Sequence, residues 1–326
     1  SIYFTISECA MSKNPNSAAA IIANAPAKVN LGLRVLGKRP DGNHNLVSLR
    51  VPVSLYDELR FEVSPRGIEL HCPNSDLPTN EENLVYQAAE LLLDECKWDG
   101  GVVIELNKNI PAGAGLGGGS SDAASTLHAV NQLLGSPADN SDLHRLAAKL
   151  GADVPFFLLG RWAVAEGIGD LLSPVDNVPT LWTVLIYPNL QISTRWAYEK
   201  LTLTSRANGS KFNILGDTYA GEMTASHQRL LDRQELALED ILPLLVNDFE
   251  PLVFGHYPQL HDLQNALLSA GARAAPMTGS GPTLVGLFRS EEKARGADYF
   301  LRHIEDVTTF VAHTLDTATL GNSIAM

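Results

Sequence analysis

Cysteine is scarce in this sequence: Cys9, Cys72 and Cys96 are the three in 326 residues. They are odd in number and lack CxxC spacing, which excludes a disulfide framework and gives no zinc motif. Basic charge is short too. With 24 Lys and Arg against 37 Asp and Glu, the formal net charge is −13, and a field of that sign repels nucleic-acid backbones and anionic bilayers at long range. An anionic ligand then needs a local basic pocket acting at short range. No apolar run approaches the roughly 20 residues of a membrane span. The first residues also lack a basic stretch followed by an apolar one, so no leader is read there. A soluble cytoplasmic protein without nucleic-acid or membrane partners is the expectation.

Hydrophobic residues make up 45% of the chain, enough for one large core or two medium ones. Residues 1–20 show little periodicity and are expected to be a disordered extension, with Met11 a candidate start. From Ile21 to Leu36 the residues alternate loosely, as a strand does, and Arg39-Pro40-Asp41-Gly42 is turn chemistry, so a hairpin into a strand from Leu49 to Val63 is expected. Leu84, Ala88 and Leu91 recur at helical spacing, and Val102 to Leu106 is a short β-branched strand. A glycine loop and a helical stripe of Ala123, Leu127, Val130 and Leu134 follow. A second helix carries Leu143, Leu146 and Leu150. The run from Leu181 to Tyr187 reads as the first strand of a second unit, which places the domains at 21–176 and 177–326. Thr202 to Glu239 reads as loop or mobile helix, Ile241 to Ala270 as mostly helix, and Thr283–Phe288 and Thr308–Leu315 as strands of an α/β series.

The densest signal is Pro111-Ala112-Gly113-Ala114-Gly115-Leu116-Gly117-Gly118-Gly119-Ser120-Ser121, between a strand and a helix. Its five glycines remove the Cβ atoms that keep a backbone away from a ligand, and they admit positive φ where amides must converge. The helix that follows presents free N–H groups and the positive end of its dipole at Ser120, Ser121 and Asp122, a setting for a polyphosphate. The serine hydroxyls there suit Mg²⁺. The plain alternative is a flexible turn with Ser120 as N-cap, but five glycines cost conformational entropy, roughly 0.5–1 kcal/mol each relative to Ala, unless backbone shape is needed. No Gly-Lys-Ser/Thr follows the loop, and no acid stands about 20 residues on as a dinucleotide fingerprint requires, so both of those readings drop out.

The segment Pro111–Ala124 resembles the second motif of the GHMP kinases, the galactokinase, homoserine kinase and mevalonate kinase group. Ala25-Pro26-Ala27-Lys28-Val29-Asn30-Leu31 resembles the first motif, and Met277-Thr278-Gly279-Ser280-Gly281-Pro282-Thr283 the third. The resemblance spans residues 24–290. It implies a two-domain α/β (α+β) fold with ATP and substrate bound in the cleft between the domains, ATP and Mg²⁺ as cofactors, and a monomer or weak homodimer. Lys28-Val29-Asn30, Pro40 to His44 and Gly151 to Pro155 are most similar to the branch that phosphorylates the 2-hydroxyl of 4-diphosphocytidyl-2-C-methyl-D-erythritol (CDP-methylerythritol) in non-mevalonate isoprenoid synthesis.

By that resemblance Lys28 and Asp153 are the catalytic pair: Asp153 takes the proton of the substrate hydroxyl while Lys28 offsets the alkoxide charge. On their own, Lys28 also reads as a solvated strand residue and Asp153 as a turn acid. The resemblance assigns ATP to Pro111, Gly113, Gly115, Leu116, Gly117, Gly118, Gly119, Ser120 and Ser121, with Asn83 and Lys108 beside the adenine. It assigns the acceptor to Asn30, His44, Asp153, Thr194, Tyr198, Gly279 and Ser280. His44 is placed to hydrogen-bond a cytosine edge and Tyr198 to stack on the base, with core packing as the alternative for Tyr198 and Trp196. Asn43 stands where the family usually has a second stacking aromatic. Another small alcohol, such as homoserine or mevalonate, and a catalytically silent nucleotide-binding module are the competing readings.

Overall fold

The computed structural model describes residues 20–207, 230–233 and 235–316. The expectations for 1–19 and for most of Thr202 to Glu239 therefore lie outside the described residues. The chain opens with a long antiparallel hairpin, β1 (Ala20–Lys38) and β2 (His44–Ser64). Its turn is local chemistry: Asp41 Oδ1 accepts the Asn43 amide at 3.0 Å, and Gly42 adopts a φ of 91°. Register shifts at Pro26/Ala27, Asn30/Leu33 and Val35/Gly37 bend β1 where its polar residues face the cleft.

There follow β3 (Gly67–His71), α1 (Leu84–Glu95) and β4 (Gly101–Asn107). Next come α2 (Gly118–Leu133), α3 (Asn140–Leu150), α4 (Val154–Leu159), β5 (Ala163–Glu166) and β6 (Leu171–Pro174). The first sheet runs β3-β4-β2-β5-β6, with β1 on β2. The helices α1 to α4 cover it, burying Leu92, Leu127, Leu146 and Phe156 against Phe61 and Ile104. Small residues let α2 lie close to its neighbours: Ser121, Asp122, Ala123, Ala124 and Ser125 are all buried.

The second sheet is β8-β7-β9, built from β7 (Trp182–Tyr187), β8 (Leu284–Phe288) and β9 (Thr308–His313). Its helices are α5 (Thr194–Ala207), the short α6 (Leu238–Ile241), α7 (Glu250–His256), α8 (Gln259–Ser269) and α9 (Glu291–Leu301). The mostly helical stretch read over Ile241 to Ala270 is divided into separate segments, because Pro243, Pro251 and Pro258 each fall at a start, where a missing amide costs nothing. A core shared by both sheets joins Ala27, Val29 and Val51 to Leu185, Val285 and Ala312.

Candidate active site

The glycine loop leaves β4 and enters α2 through three left-handed residues, Gly113, Gly115 and Gly117, with φ of 72°, 77° and 73°. Space is tight as well as shape. A Cβ on Gly115 would lie 3.0 Å from the Gly281 carbonyl oxygen, and one on Gly117 would lie 2.9 Å from the Phe157 ring and 3.0 Å from Lys28 Cγ. The loop is braced from the second half: Thr283 Oγ1 donates to the Ala114 carbonyl at 2.8 Å, and the Lys28 amide donates to the Leu116 carbonyl at 2.8 Å. Gly117 caps α2 without a side chain, so the first amides of that helix stay available to a ligand.

Lys28 on β1 and Asp153 at the start of α4 meet, with Nζ 3.7 Å from Oδ2. Arg50, on β2, lies 2.9 Å from the other carboxylate oxygen. Lys28 Nζ donates to Asn30 Oδ1 at 2.6 Å, Asn30 Nδ2 to Ser48 Oγ at 2.7 Å, and Ser48 Oγ to the Gly32 carbonyl at 2.7 Å, a chain that fixes the ammonium. Burial works against the Asp153 charge, but Lys28 and Arg50 outweigh it and hold the carboxyl below its usual range. Burial, with Arg50 adding to it and Asp153 opposing, lowers the Lys28 ammonium. An ionised carboxylate between two cations beside a phosphate loop can take a hydroxyl proton and leave the resulting charge compensated.

These groups line a cleft of about 280 Å³ together with Gly115, Thr194, Tyr198, Phe249, Gly279 and Ser280. Thr194 Oγ1 and Ser280 Oγ are 2.9 Å apart. His44 stacks on Tyr198 with ring centroids 4.8 Å apart and planes at 25°, and Phe249 meets Tyr198 edge-on at 4.9 Å. Rings that close admit no third ring between them, so a base stacks on the outer face of the pair or the pair parts. Asn43 is exposed on the turn before it. Trp196 packs instead against His256 and Tyr257.

Asn83 and Lys108 are engaged within the protein. Asn83 caps α1, accepting the Val85 amide at 2.9 Å and donating to the Pro78 carbonyl at 2.7 Å. Lys108 bonds the Asp57 carboxylate and, at 2.8 Å, Asp122 Oδ2. Burial would lower that ammonium, but Asp122 and Asp57 together hold it above its ordinary value. Asp57 also accepts the Asn109 and Ile110 amides at 2.6 and 2.9 Å, so the triad anchors the chain entering the loop. In the first turn of α2, Ser121 Oγ and Asp122 Oδ1 are buried without a hydrogen-bond partner. Unpaired buried polar atoms are costly. Their position fits a phosphate-bound Mg²⁺, which takes few protein ligands besides phosphate oxygens and water. Among the described residues no group of three or more His, Cys, Asp and Glu is gathered as a metal site.

Sequence reasoning missed Arg50, Asp57 and Asn247. Asn247 Nδ2 donates to the Met277 and Gly279 carbonyls at 2.7 and 2.8 Å and so shapes the third glycine turn. For Arg50 a signal existed, a lone charge between Leu49 and Val51 in an apolar strand.

Comparison with known proteins agrees with this geometry. Residues 83–161 match the model of the GHMP kinases N terminal domain, and residues 229–302 that of the GHMP kinases C terminal domain. The chain is 44% identical over 292 residues to the 4-diphosphocytidyl-2-C-methyl-D-erythritol kinase of Syntrophus aciditrophicus (strain SB), covering 90% of this chain and 98% of that one. It is 41% identical to the protein of the same name from Geobacter metallireducens, covering 88% and 96%. A crystal structure of 4-(cytidine 5'-diphospho)-2C-methyl-D-erythritol kinase superposes with a TM-score of 0.72 at 36% identity, covering 90% of this chain and 99% of that one. Mevalonate kinase of L. major, solved with R-mevalonate, shares the fold with a TM-score of 0.69 at 16% identity over 90% and 95% of the two chains.

Proposed function

The chain belongs to the GHMP kinases, and from that premise we propose that it transfers the γ-phosphoryl group of ATP to the 2-hydroxyl of 4-diphosphocytidyl-2-C-methyl-D-erythritol. That places it in non-mevalonate isoprenoid precursor synthesis. The observation that carries the chemistry is the meeting of Asp153 with Lys28 beside the glycine loop. The acceptor rests on the relatives, which bear that name over nearly their whole length.

The amides of Gly113 to Ser120 receive the phosphates, and Asn30, Thr194, Gly279 and Ser280 line the path of the acceptor. Ser121 would hold Mg²⁺, with Ser120 beside it, and when bound that ion neutralises phosphate charge. Asp153 orients the acceptor hydroxyl and receives its proton. Lys28 and Arg50 keep the carboxylate charged, which makes it a weak base. Its first task is therefore positioning, with proton transfer late, as suits a loose phosphoryl-transfer transition state. His44 and Tyr198 offer the cytosine its ring face and hydrogen-bonding edge. Lys108, bound to Asp57 and Asp122, acts on ATP through the loop that it anchors, and Asn83 through the start of α1. We place the domains at 21–176 and 177–326, and the enzyme in the cytoplasm as a monomer or weak homodimer.

The test is ADP release with ATP, Mg²⁺ and, in turn, CDP-methylerythritol, homoserine and mevalonate. Turnover is expected with the first at least about a hundredfold above the other two, a lower bound on the roughly 10⁴–10⁵-fold discrimination that sites hydrogen-bonding their substrate reach. Preference for either of the others would overturn the acceptor assignment, and absence of turnover with all three would leave a nucleotide-binding module.

A further inference from the structure

The two oxygens of the Asp153 carboxylate have different neighbours. Oδ1 lies 2.9 Å from Arg50 NH2, a close ion pair. Oδ2 lies 3.7 Å from Lys28 Nζ, too far for such a bond, and that ammonium is already tied to Asn30 at 2.6 Å. Arg50 is 6% exposed along its side chain and donates from NH1 to the Gly169 carbonyl at 2.8 Å. Its Nε is buried without an acceptor. A guanidinium so enclosed is costly to keep, and among the described residues its ion-pair partner is Asp153. Asp153 by contrast leaves 31% of its side chain open to the cleft.

We propose that Arg50 is a positioning residue of the reaction: it clamps Asp153 Oδ1 and so dedicates Oδ2 to the proton of the acceptor hydroxyl. The inference rests on the reading of Asp153 as the base. In the step itself the acceptor O–H bond breaks, its proton goes to Oδ2, and the electron pair left on oxygen forms the new O–P bond as the bond to the ADP oxygen breaks. Arg50 exchanges no proton. The clamp has a built counterpart in the β5–β6 turn. Gly169 adopts a φ of 99°, and a Cβ there would lie 2.2 Å from Arg50 NH2, so this glycine leaves the guanidinium its seat. The same turn sends Ile168 into the cleft wall.

The groups facing Asp153 are Lys28 on β1, Arg50 on β2 and Tyr198 on α5. Burial raises the Tyr198 phenol to about 12, so it stays neutral in the working range. Among the described residues, removing Arg50 leaves Lys28 as the cation on the carboxylate. Loss of the clamp frees Asp153 to rotate and makes it easier to protonate.

The experiment uses the full chain with ATP, Mg²⁺ and CDP-methylerythritol, and compares wild type, Arg50→Met, Arg50→Lys and Asp153→Asn across pH. Arg50→Met is expected to lower kcat roughly 10- to 100-fold, as a misplaced catalytic group does, and to move the acid limb of kcat/KM to higher pH. KM for ATP should stay within about threefold. Arg50→Lys keeps the charge, so it should retain the wild-type acid limb while losing kcat, because an ammonium cannot reach both Gly169 and Oδ1. In a further variant, Arg50→Ala, which leaves room for a small cation, added methylguanidinium should raise turnover where methylammonium does not. An acid limb unmoved in Arg50→Met, or no rescue specific to guanidinium, overturns the inference. Should Arg50→Met fail to fold, the Lys variant and the rescue decide it. Turnover that survives in Asp153→Asn sinks the underlying reading instead, so the two failures are distinct.

Discussion

Lys28 and Lys108 both press on the glycine loop: a Cβ on Gly117 would lie 3.0 Å from Lys28 Cγ, and one on Gly118 would lie 3.0 Å from Lys108 Nζ. Their surroundings give them opposite tasks. Burial dominates at Lys28, so its ammonium is held at a cost in stability and lies open to the cleft. At Lys108 two carboxylates outweigh burial and raise the ammonium. A raised lysine contributes stability that is fully present below its unfolded value of 10.5 and is lost only as pH climbs through its folded value above that. Lys108→Met strands Asp57 and Asp122 in a buried site and is expected to cost about 3–5 kcal/mol. Lys28→Met should abolish most turnover yet cost less than about 1 kcal/mol, since it removes a desolvated charge. Urea unfolding of the two variants checks the contrast, and equal midpoint shifts would refute it.

At the scale of the element, α2 carries the site. Its entry needs positive φ at Gly117, so Gly117→Ala is strained by roughly 1–2 kcal/mol and also pushes on Phe157 and Lys28. Turnover is expected to fall more than tenfold while the fold persists, with ADP release and circular dichroism as the paired readouts. Further along, His128 is half-buried, and desolvation lowers it to about 4. The native helix thus holds the neutral ring, whereas the unfolded chain binds a proton near pH 6.5. Stability should therefore decline as pH falls from about 6.5 to 4 and level off below, by on the order of 2 kcal/mol given the partial exposure. His128→Gln should flatten that decline relative to wild type in urea titrations at pH 7 and 4.5. A parallel decline in both proteins would show that other groups cause it.

At the scale of the molecule, the two halves are not separable by packing. Ala27, Val29 and Val51 of the first sheet share a core with Leu185, Val285 and Ala312 of the second, and the Leu315 amide donates to the Pro52 carbonyl at 2.9 Å. The third glycine turn adds links across the cleft through Thr278 to the Asn30 amide and Thr283 to Ala114. One cooperative unfolding transition is expected. Trp98 lies in the first half and Trp182 in the second, so variants keeping one or the other of the four tryptophans should unfold at the same denaturant midpoint. Separate midpoints would mean the shared core does not couple them. Saturating ATP, at about 100 times its Kd, should shift that single transition by about 2.7 kcal/mol.

Local chemistry made part of this legible without a structure. The glycine loop, the hairpin turn at Asp41-Gly42 and the start of α2 follow from backbone freedom, turn propensity and periodicity, all properties of neighbouring residues. Lys28 and Asp153 stood out through the motifs that resemble those of the GHMP kinases, since on their own each also reads as a surface charge. The rest depended on separation in sequence. Arg50 became part of the site because the β2 register sets it opposite Ala163, next to the strand that α4 leads into. Lys108 joined Asp57 and Asp122 because β4 pairs with β2 and α2 follows on. The sequence alone determined the glycine loop between a strand and a helix and the motifs that carry the charges. Only the tertiary structure decided which charges meet, because an ion pair is fixed by the distance between chains that sheet register and helix packing set.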